Sequence, residues 1–410
     1  MTTVRGGLAG TKLVCFFCSE ARAPDLETGC HACGGSLVAT VDASAEFPAA
    51  AARFWDFAPV LPVGDARVSL GEGATPLLKL ERLFPGDEIY VKAEWTNATG
   101  SFKDRGSAVA VSAARALGAL GVICASTGNN AASVSAYAAR AGMPCVVVLP
   151  KGTPANKIIQ AKAHGAIVLE VEGTFSDAYA ASNRIQAESR GWANLTSTYL
   201  NPYMTAAHAT IFYEAQAELG RVGSIVVPIG AGPMLDGFMQ GAALMKARGL
   251  IDSLPVPVGV QGAGCAPIAD AFARGLDTVE EWAPPVTGMP GSINDPLRGY
   301  ADDSTRTLRI IRDAGGHAVA VTDEEIRRAM TELGQGEGMA AEPASVTPLA
   351  ALRKLAALPR PVVLVISGHA LKDPMAQAAA TEPSLDVEPD AAPRAVTEAA
   401  VRRFASRSWS

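Results

Sequence analysis

Short apolar runs alternate with Ala-rich stretches through most of the chain. Gly121–Ala125 (GVICA), Pro144–Leu149 (PCVVVL) and Ala166–Val171 (AIVLEV) predict buried strands. Asn129–Ala141 and Pro154–His164 predict the helices between them, followed by a helix from about Phe175 to Ser189 and a short strand near Ala193. A second series begins at Ser224–Pro228 (SIVVP) and continues through Val256–Gln261, Ala318–Val321 and Val362–Ile366, again with helices between. Thr322-Asp-Glu-Glu325 is a capping box that opens one of those helices. Continuous apolar strands separated by helices indicate parallel sheets covered on both faces. Two such series predict an α/β protein with two doubly wound parallel-sheet domains and a cleft between them.

The ends of the chain read differently. Residues 1–40 form a separate small module, and an Ala-rich stretch from Ala43 to Ala52 follows it. Residues 41–380 carry the two α/β series. Residues 381–410 are rich in Pro, Ala and Glu, which predicts a mobile tail with a short helix from Val396 to Ser406. The 410 residues are enough for two full cores. A net charge of −6 gives no electrostatic footprint for nucleic acid or for an acidic membrane surface. No early apolar run reads as a signal peptide, and none approaches the ~18 apolar residues of a membrane span. A cytoplasmic protein is expected.

Four of the seven cysteines are clustered. Cys15-x-x-Cys18 and Cys30-x-x-Cys33 are two knuckles eleven residues apart, the second followed by Gly34-Gly35. Each pair puts two sulfurs on one tight turn, and two turns make the thiolate cage that zinc accepts. Four protein ligands leave no open position, so the metal is expected to be structural. His31, between two ligands, is expected to be a solvated neighbour. Because it lies outside the α/β series, the ribbon is expected to loosen when Cys30→Ser/Cys33→Ser removes the metal, while the α/β region keeps what it binds. Cys124, Cys145 and Cys265 sit in apolar segments and read as small buried residues.

Chemistry concentrates in the loops between strands and helices. Lys103 lies in Asn97-Ala-Thr-Gly-Ser-Phe-Lys-Asp-Arg-Gly106, with apolar Phe102 on one side and Asp104-Arg105 on the other. Partial burial would lower its pKa and make it an amine nucleophile able to form a Schiff base. A surface lysine at a helix start fits the same local pattern. Ala125-Ser-Thr-Gly-Asn-Asn-Ala131 joins a strand to a helix. Its helix-start amides, with Ser126, Thr127 and Asn130, can hold a carboxylate or phosphate, although simple capping would use the same residues. Pro228-Ile-Gly-Ala-Gly232 is a third such loop and suits a phosphate. Ser367 ends the last buried strand, where ligands of open sheets bind.

Together these segments resemble fold-type-II pyridoxal-phosphate (PLP) enzymes, and most closely the threonine synthases with an N-terminal zinc ribbon. The matching pieces are the knuckles, Leu70-Gly-Glu-Gly-Ala-Thr-Pro76, Ser101-Phe-Lys-Asp-Arg-Gly106, Ser126-Thr-Gly-Asn129, Gly264-Cys-Ala-Pro267, Glu342-Pro-Ala-Ser345, Ser367-Gly-His369 and Leu371-Lys-Asp-Pro374. The resemblance implies that Lys103 carries the cofactor and moves the substrate's protons. It implies that Asn129 meets the ring hydroxyl, and that Gly230, Ala231 and Gly232 hold the cofactor phosphate. Ser367 would meet the ring nitrogen, and Ser126, Thr127 and Asn130 the substrate carboxylate. A homodimer acting on a small amino acid is the family expectation.

Two departures stand out. The phosphate loop reads Gly230-Ala-Gly-Pro-Met234, where the family resembles Gly-Asn-Ala/Gly-Gly-Asn, and Pro233 offers no amide hydrogen. Family members also carry a segment like Asn-Ser-x-Asn-Pro-Tyr-Arg and then Glu-Gly-Gln-Lys-Thr, which helps hold the substrate's phosphate. Here Thr198, Tyr199, Met204 and Ala209 stand at the Asn, Ser, Arg and Lys positions. A thioether cannot replace a charge-assisted donor. Tyr199 and Met204 are therefore expected to line an apolar leaving-group pocket, with Lys157, His208 and His369 as the candidate cations from elsewhere. Three readings follow. The enzyme eliminates or replaces a β or γ substituent on an unphosphorylated amino acid; it is an ordinary threonine synthase acting on phosphohomoserine; or it is a catalytically silent homologue kept for binding.

Overall fold

The computed structural model describes residues 8–42, 45–48, 53–355 and 357–379. The expected tail at 381–410, with its Val396–Ser406 helix, and most of the Ala43–Ala52 stretch lie outside them. Three short strands come first: β1 (Thr11–Cys15), β2 (Ala21–Arg22) and β3 (Leu37–Val41), paired antiparallel in the order β2-β1-β3. The knuckle cysteines sit on the turns at one end of this sheet.

The catalytic region holds two sheets, as the two apolar series predict. β6 (Gly121–Ala125), β7 (Cys145–Pro150), β8 (Ile167–Val171) and β9 (Trp192–Asn194) form an all-parallel sheet in the order β8-β7-β6-β9. The second sheet contains β10 (Ser224–Pro228), β11 (Val256–Gly262), β12 (His317–Val321) and β13 (Val362–Ile366). It also takes two earlier strands, β4 (Leu77–Lys79) and β5 (Ile89–Ala93), in the order β12-β11-β10-β13-β5-β4. All neighbours are parallel except β4, which runs antiparallel along the edge of β5. The crossover of β5 into this sheet leads the chain from one domain directly into α1 (Lys103–Ala116) of the other.

Helices follow the strands: α2 (Asn129–Ala141), α3 (Ala155–Ala163), α4 (Phe175–Glu188), α5 (Pro202–Ala207), α6 (Ala209–Leu219) and α7 (Pro233–Ala247). The capping box at Thr322 forms as expected: its hydroxyl accepts from Glu325 N, and Glu325 Oε2 accepts from Thr322 N. β6, β7, β10 and β13 are buried almost throughout, as strands covered on both faces must be. Cys124, Cys145 and Cys265 are buried among them. No helix among the described residues is long and apolar enough to cross a membrane.

The ribbon does not stand apart. Leu13, Cys15, Leu37 and Ala39 share one core with the catalytic region. Arg306, on the helix Ala301–Asp313, is fully buried at this joint. It donates to Ser36 Oγ at 3.2 Å and to Leu37 O at 3.1 Å, pairs with Asp236 of α7, and stacks on Phe16 and Tyr199. A buried guanidinium needs partners on all sides, and the ribbon supplies some of them. The expectation of an independent module omits this contact.

Candidate active site

The predicted loops converge on one cavity of about 350 Å³ between the two sheets. Lys103, Ser126, Thr127, Asn129, Asn130, Gly230, Ala231, Gly232 and Ser367 all line it. They sit at the carboxyl ends of β6, β10 and β13 and at the amino ends of α1, α2 and α7, the crevice that open parallel sheets offer to ligands.

Lys103 is the first residue of α1. Its Nζ lies 4.5 Å from the centroid of the Phe102 ring, so the apolar wall read from the sequence is present. Burial lowers the ammonium to about 8, and the nearby Glu342 carboxylate partly offsets this. The motif around it is anchored residue by residue. Phe102 N donates to Ser367 O at 2.9 Å, joining the lysine loop to the end of β13. Asp104 accepts from Thr99 N, Thr99 Oγ1 and Ser133 Oγ. Arg105, fully buried, makes two-pronged pairs with Glu94 and Glu214, and Lys92 Nζ reaches Glu214 Oε2 at 2.8 Å.

The loop at 126–130 both caps its helix and opens on the cavity. Ser126 Oγ accepts from Gly128 N and Ala131 N, which leaves its hydroxyl hydrogen to donate. The Thr127 hydroxyl and the first N–H groups of α2 stand beside it. Asn130 is more committed than expected: its Nδ2 donates to Leu195 O at 2.9 Å. Asn129 Nδ2 donates to Glu342 Oε1 at 2.8 Å.

The loop at 230–232 leads into α7, with Gly232 at φ 109° as its N-cap. A Cβ at Gly232 would overlap Thr307 Oγ1, so only glycine fits this turn. Thr307 Oγ1 donates to Ala231 O at 2.6 Å and fixes the loop. A glycine turn at a helix start, a serine hydroxyl at a strand end and a buried amine of lowered pKa form a donor set that fits PLP.

Tyr199 and Met204 do not line the cavity. Tyr199 is buried with its hydroxyl 2.8 Å from Thr307 Oγ1 and its ring against Arg306. Met204 is buried against Gly106 of α1, its Cε and the His208 Nε2 3.3 and 3.4 Å from where a Cβ would stand. These side chains turn into the core, because Arg306 and the glycine gap offer them packing partners. The expected apolar pocket wall is thus replaced by Ser197, Thr198, Asn156, Lys157 and Gln160. Of the three candidate cations, Lys157 lines the cavity. His208 lies behind Phe102, and burial lowers it to about 3, so it is neutral. His369 Nδ1 accepts from Leu371 N and caps a turn.

Sequence reasoning gave no roles to Glu342, Asp295 and Lys372, which also line the cavity. Lys372 Nζ donates to Gln160 Oε1 at 2.5 Å across the cleft. The Glu342-Pro-Ala-Ser345 and Leu371-Lys-Asp-Pro374 motifs contain the first and the last of these; nothing local marks Asp295.

In the ribbon, the four sulfurs of Cys15, Cys18, Cys30 and Cys33 lie within 4.8 Å of one another. Tetrahedral zinc with Zn–S bonds of about 2.3 Å requires sulfurs about 3.8 Å apart, so the cage has the right size and donors. His31 is exposed, with its Nε2 2.7 Å from Glu27 Oε2, and stays outside the cage.

This fold and this lysine-centred cleft define a class. Residues 68–368 match the family model for pyridoxal-phosphate dependent enzymes, and the chain belongs to that family. Its relatives narrow the class further. It is 39% identical over 332 residues to a threonine synthase of Methanosarcina acetivorans, covering 78% of this chain and 80% of the relative. It is 38% identical over 350 residues to a threonine synthase of Methanocaldococcus jannaschii, covering 82% and 84%. Among solved structures, the processed form of threonine deaminase isoform 2 from Solanum lycopersicum shares the fold. The TM-score is 0.61 at 22% identity, with 75% of this chain and 87% of that one covered.

Proposed function

We propose that this chain is a threonine-synthase-like enzyme that eliminates or replaces a β or γ substituent on a small amino acid lacking phosphate. The observation that carries the reading is Lys103: a lysine amine of lowered pKa at the floor of a cavity, between two helix-start loops. This supports an active enzyme over a silent homologue. When bound, PLP supplies an electron sink beside the amino-bearing carbon. Lys103 would hold the cofactor, and its amine would take and return the proton at the substrate's α-carbon. Ser126, Thr127 and the α2 amides orient the substrate carboxylate. The Ser367 hydroxyl would not hold a proton on the ring nitrogen as a carboxylate would, and this suits elimination. The four ribbon cysteines hold a structural zinc, and the enzyme acts as a homodimer in the cytoplasm.

The absence of phosphate rests on the segment 198–210. It contains no Arg or Lys, and its Tyr199 and Met204 side chains face the core. Losing two charge-assisted hydrogen bonds at about 1.5–3 kcal/mol each lowers specificity by roughly 10²–10⁴-fold. A second reading, phosphohomoserine as substrate, is favoured by Lys157 and Lys372 on the cavity wall. One assay decides: threonine formation from phosphohomoserine against elimination from a panel of unphosphorylated amino acids. We expect the panel to contain the better substrate. Turnover of phosphohomoserine above ~10⁴ M⁻¹s⁻¹, an ordinary enzymatic efficiency, would establish the second reading.

A further inference from the structure

A hydrogen-bonded chain crosses the floor of the cavity. Asn129 Nδ2 donates to Glu342 Oε1 at 2.8 Å, Ser345 Oγ reaches the same oxygen at 3.4 Å, and the Ser345 and Ser367 hydroxyls are 2.8 Å apart. The ends of the chain, Asn129 and Ser367, are the residues that the resemblance gives to the ring hydroxyl and the ring nitrogen. Its centre is an acid. Glu342, Ser345 and Ser367 are all buried.

The local backbone is shaped around this carboxyl group. Glu342 N donates to Gly368 O at 3.2 Å, and a Cβ at Gly368 would overlap Glu342 Oε1. The glycine after Ser367 therefore makes the room that Glu342 occupies. Burial raises the pKa of the Glu342 carboxyl group; the Asn129 amide, Lys372 of the segment after β13 and the Ser345 hydroxyl work against this and favour the carboxylate, Asp373 adds to the rise, and Lys103 of α1 lies within reach of its charge. Burying a carboxylate is costly, and a glutamine would fill the same space and bond to the same neighbours. Two properties distinguish the acid. A carboxylate only accepts, so Asn129 must turn its Nδ2 toward it, leaving the second N–H to donate elsewhere. It also brings a negative charge next to Lys103.

We propose that Glu342 is a positioning residue of the reaction: it fixes the Asn129 amide to donate to the cofactor's ring oxygen and sets a negative charge beside the nitrogen of Lys103. This rests on the cofactor placement of the proposed function.

The test uses the full chain loaded with PLP. The visible absorbance of the lysine-bound cofactor is titrated with pH, and PLP affinity is measured, in wild type, Glu342→Gln and Ser345→Ala. A negative charge favours the protonated form of the adjacent nitrogen, so its removal lowers the titration midpoint. Glu342→Gln is expected to fold, to lower the midpoint by about one unit, a tenfold change in proton affinity, and to weaken PLP binding. Ser345→Ala is expected to leave the midpoint in place. An unchanged or raised midpoint in Glu342→Gln would overturn the proposal, as would a collapse of that near-isosteric variant, which would mean a structural role. A wild-type protein that takes up no cofactor on Lys103 would instead overturn the placement beneath it.

Discussion

The cleft has two ends built on different principles. At the cofactor end, Asn129, Glu342, Ser345 and Ser367 form one bonded chain, and Arg105 pins the Lys103 helix to Glu94 and Glu214. At the mouth, Asn156, Lys157 and Gln160 of α3 face Ser292, Asn294 and Lys372, whose side chains are exposed or half-buried. Buried polar groups tolerate few alternatives, because every unpaired atom is costly. Solvated side chains are free to vary. On the proposed function, substrate choice is expected to reside at the mouth rather than at the cofactor end.

Substitutions at the two ends should separate sharply. Glu214→Ala strips Arg105 and Lys92 of a buried partner and should cost about 3–5 kcal/mol in denaturant unfolding. Lys157→Ala should change stability by no more than about 0.5 kcal/mol. A Glu214→Ala variant as stable as wild type would remove the distinction. The pH dependence follows the same line. Burial opposes the Glu214 carboxylate, but Arg105 and Lys92 hold it down at about 2. Its contribution to stability is therefore present above the unfolded value of 4.5 and is lost as pH falls toward 2.

Next in size is the reactivity of Lys103. The neutral amine is the nucleophile, and its pKa is about 8. The rate at which apo-enzyme takes up PLP should rise about tenfold from pH 7 to 9 and then level off. A rate still climbing steeply beyond pH 9 would describe an ordinary surface lysine.

At the mouth, Lys157→Ala should raise KM for substrates with an anionic substituent by up to about tenfold, leaving kcat and cofactor binding unchanged. A fall in kcat with KM fixed would move Lys157 into the chemistry.

The smallest effect is expected from the ribbon. Cys30→Ser/Cys33→Ser should lose the metal. Arg306 joins the ribbon to Tyr199, and Thr307 beside it holds Ala231 O. PLP affinity should therefore fall by a few-fold, a coupling of less than about 1.4 kcal/mol. Unchanged affinity after proven metal loss would restore the independent module read from the sequence.

The sequence revealed the parts whose information is local. Each buried parallel strand is a short apolar run, and each loop from Lys103 to Ser367 carries its glycine or hydroxyl beside such a run. What it did not reveal depends on distant partners. The strand-like run at β5 does not say that it pairs with β13 across the domain boundary. Tyr199 and Met204 stand at positions that face substrate in the resembling family. They turn inward here because Arg306 and Gly106, far away in sequence, supply their packing. An arginine at position 204 would accordingly enter the core beside His208, and it is no route to restoring a phosphate site. Lys372 meets Gln160 across more than two hundred residues; its motif marks the lysine but not this partner.

The central claim is that Lys103 carries the cofactor. The direct measurement is borohydride reduction of PLP-loaded enzyme, followed by digestion and mass mapping of the labelled peptide. The account predicts one label, on Lys103, absent from Lys103→Ala. A label on Lys157 or Lys372 instead, or none in protein saturated with PLP, would contradict it.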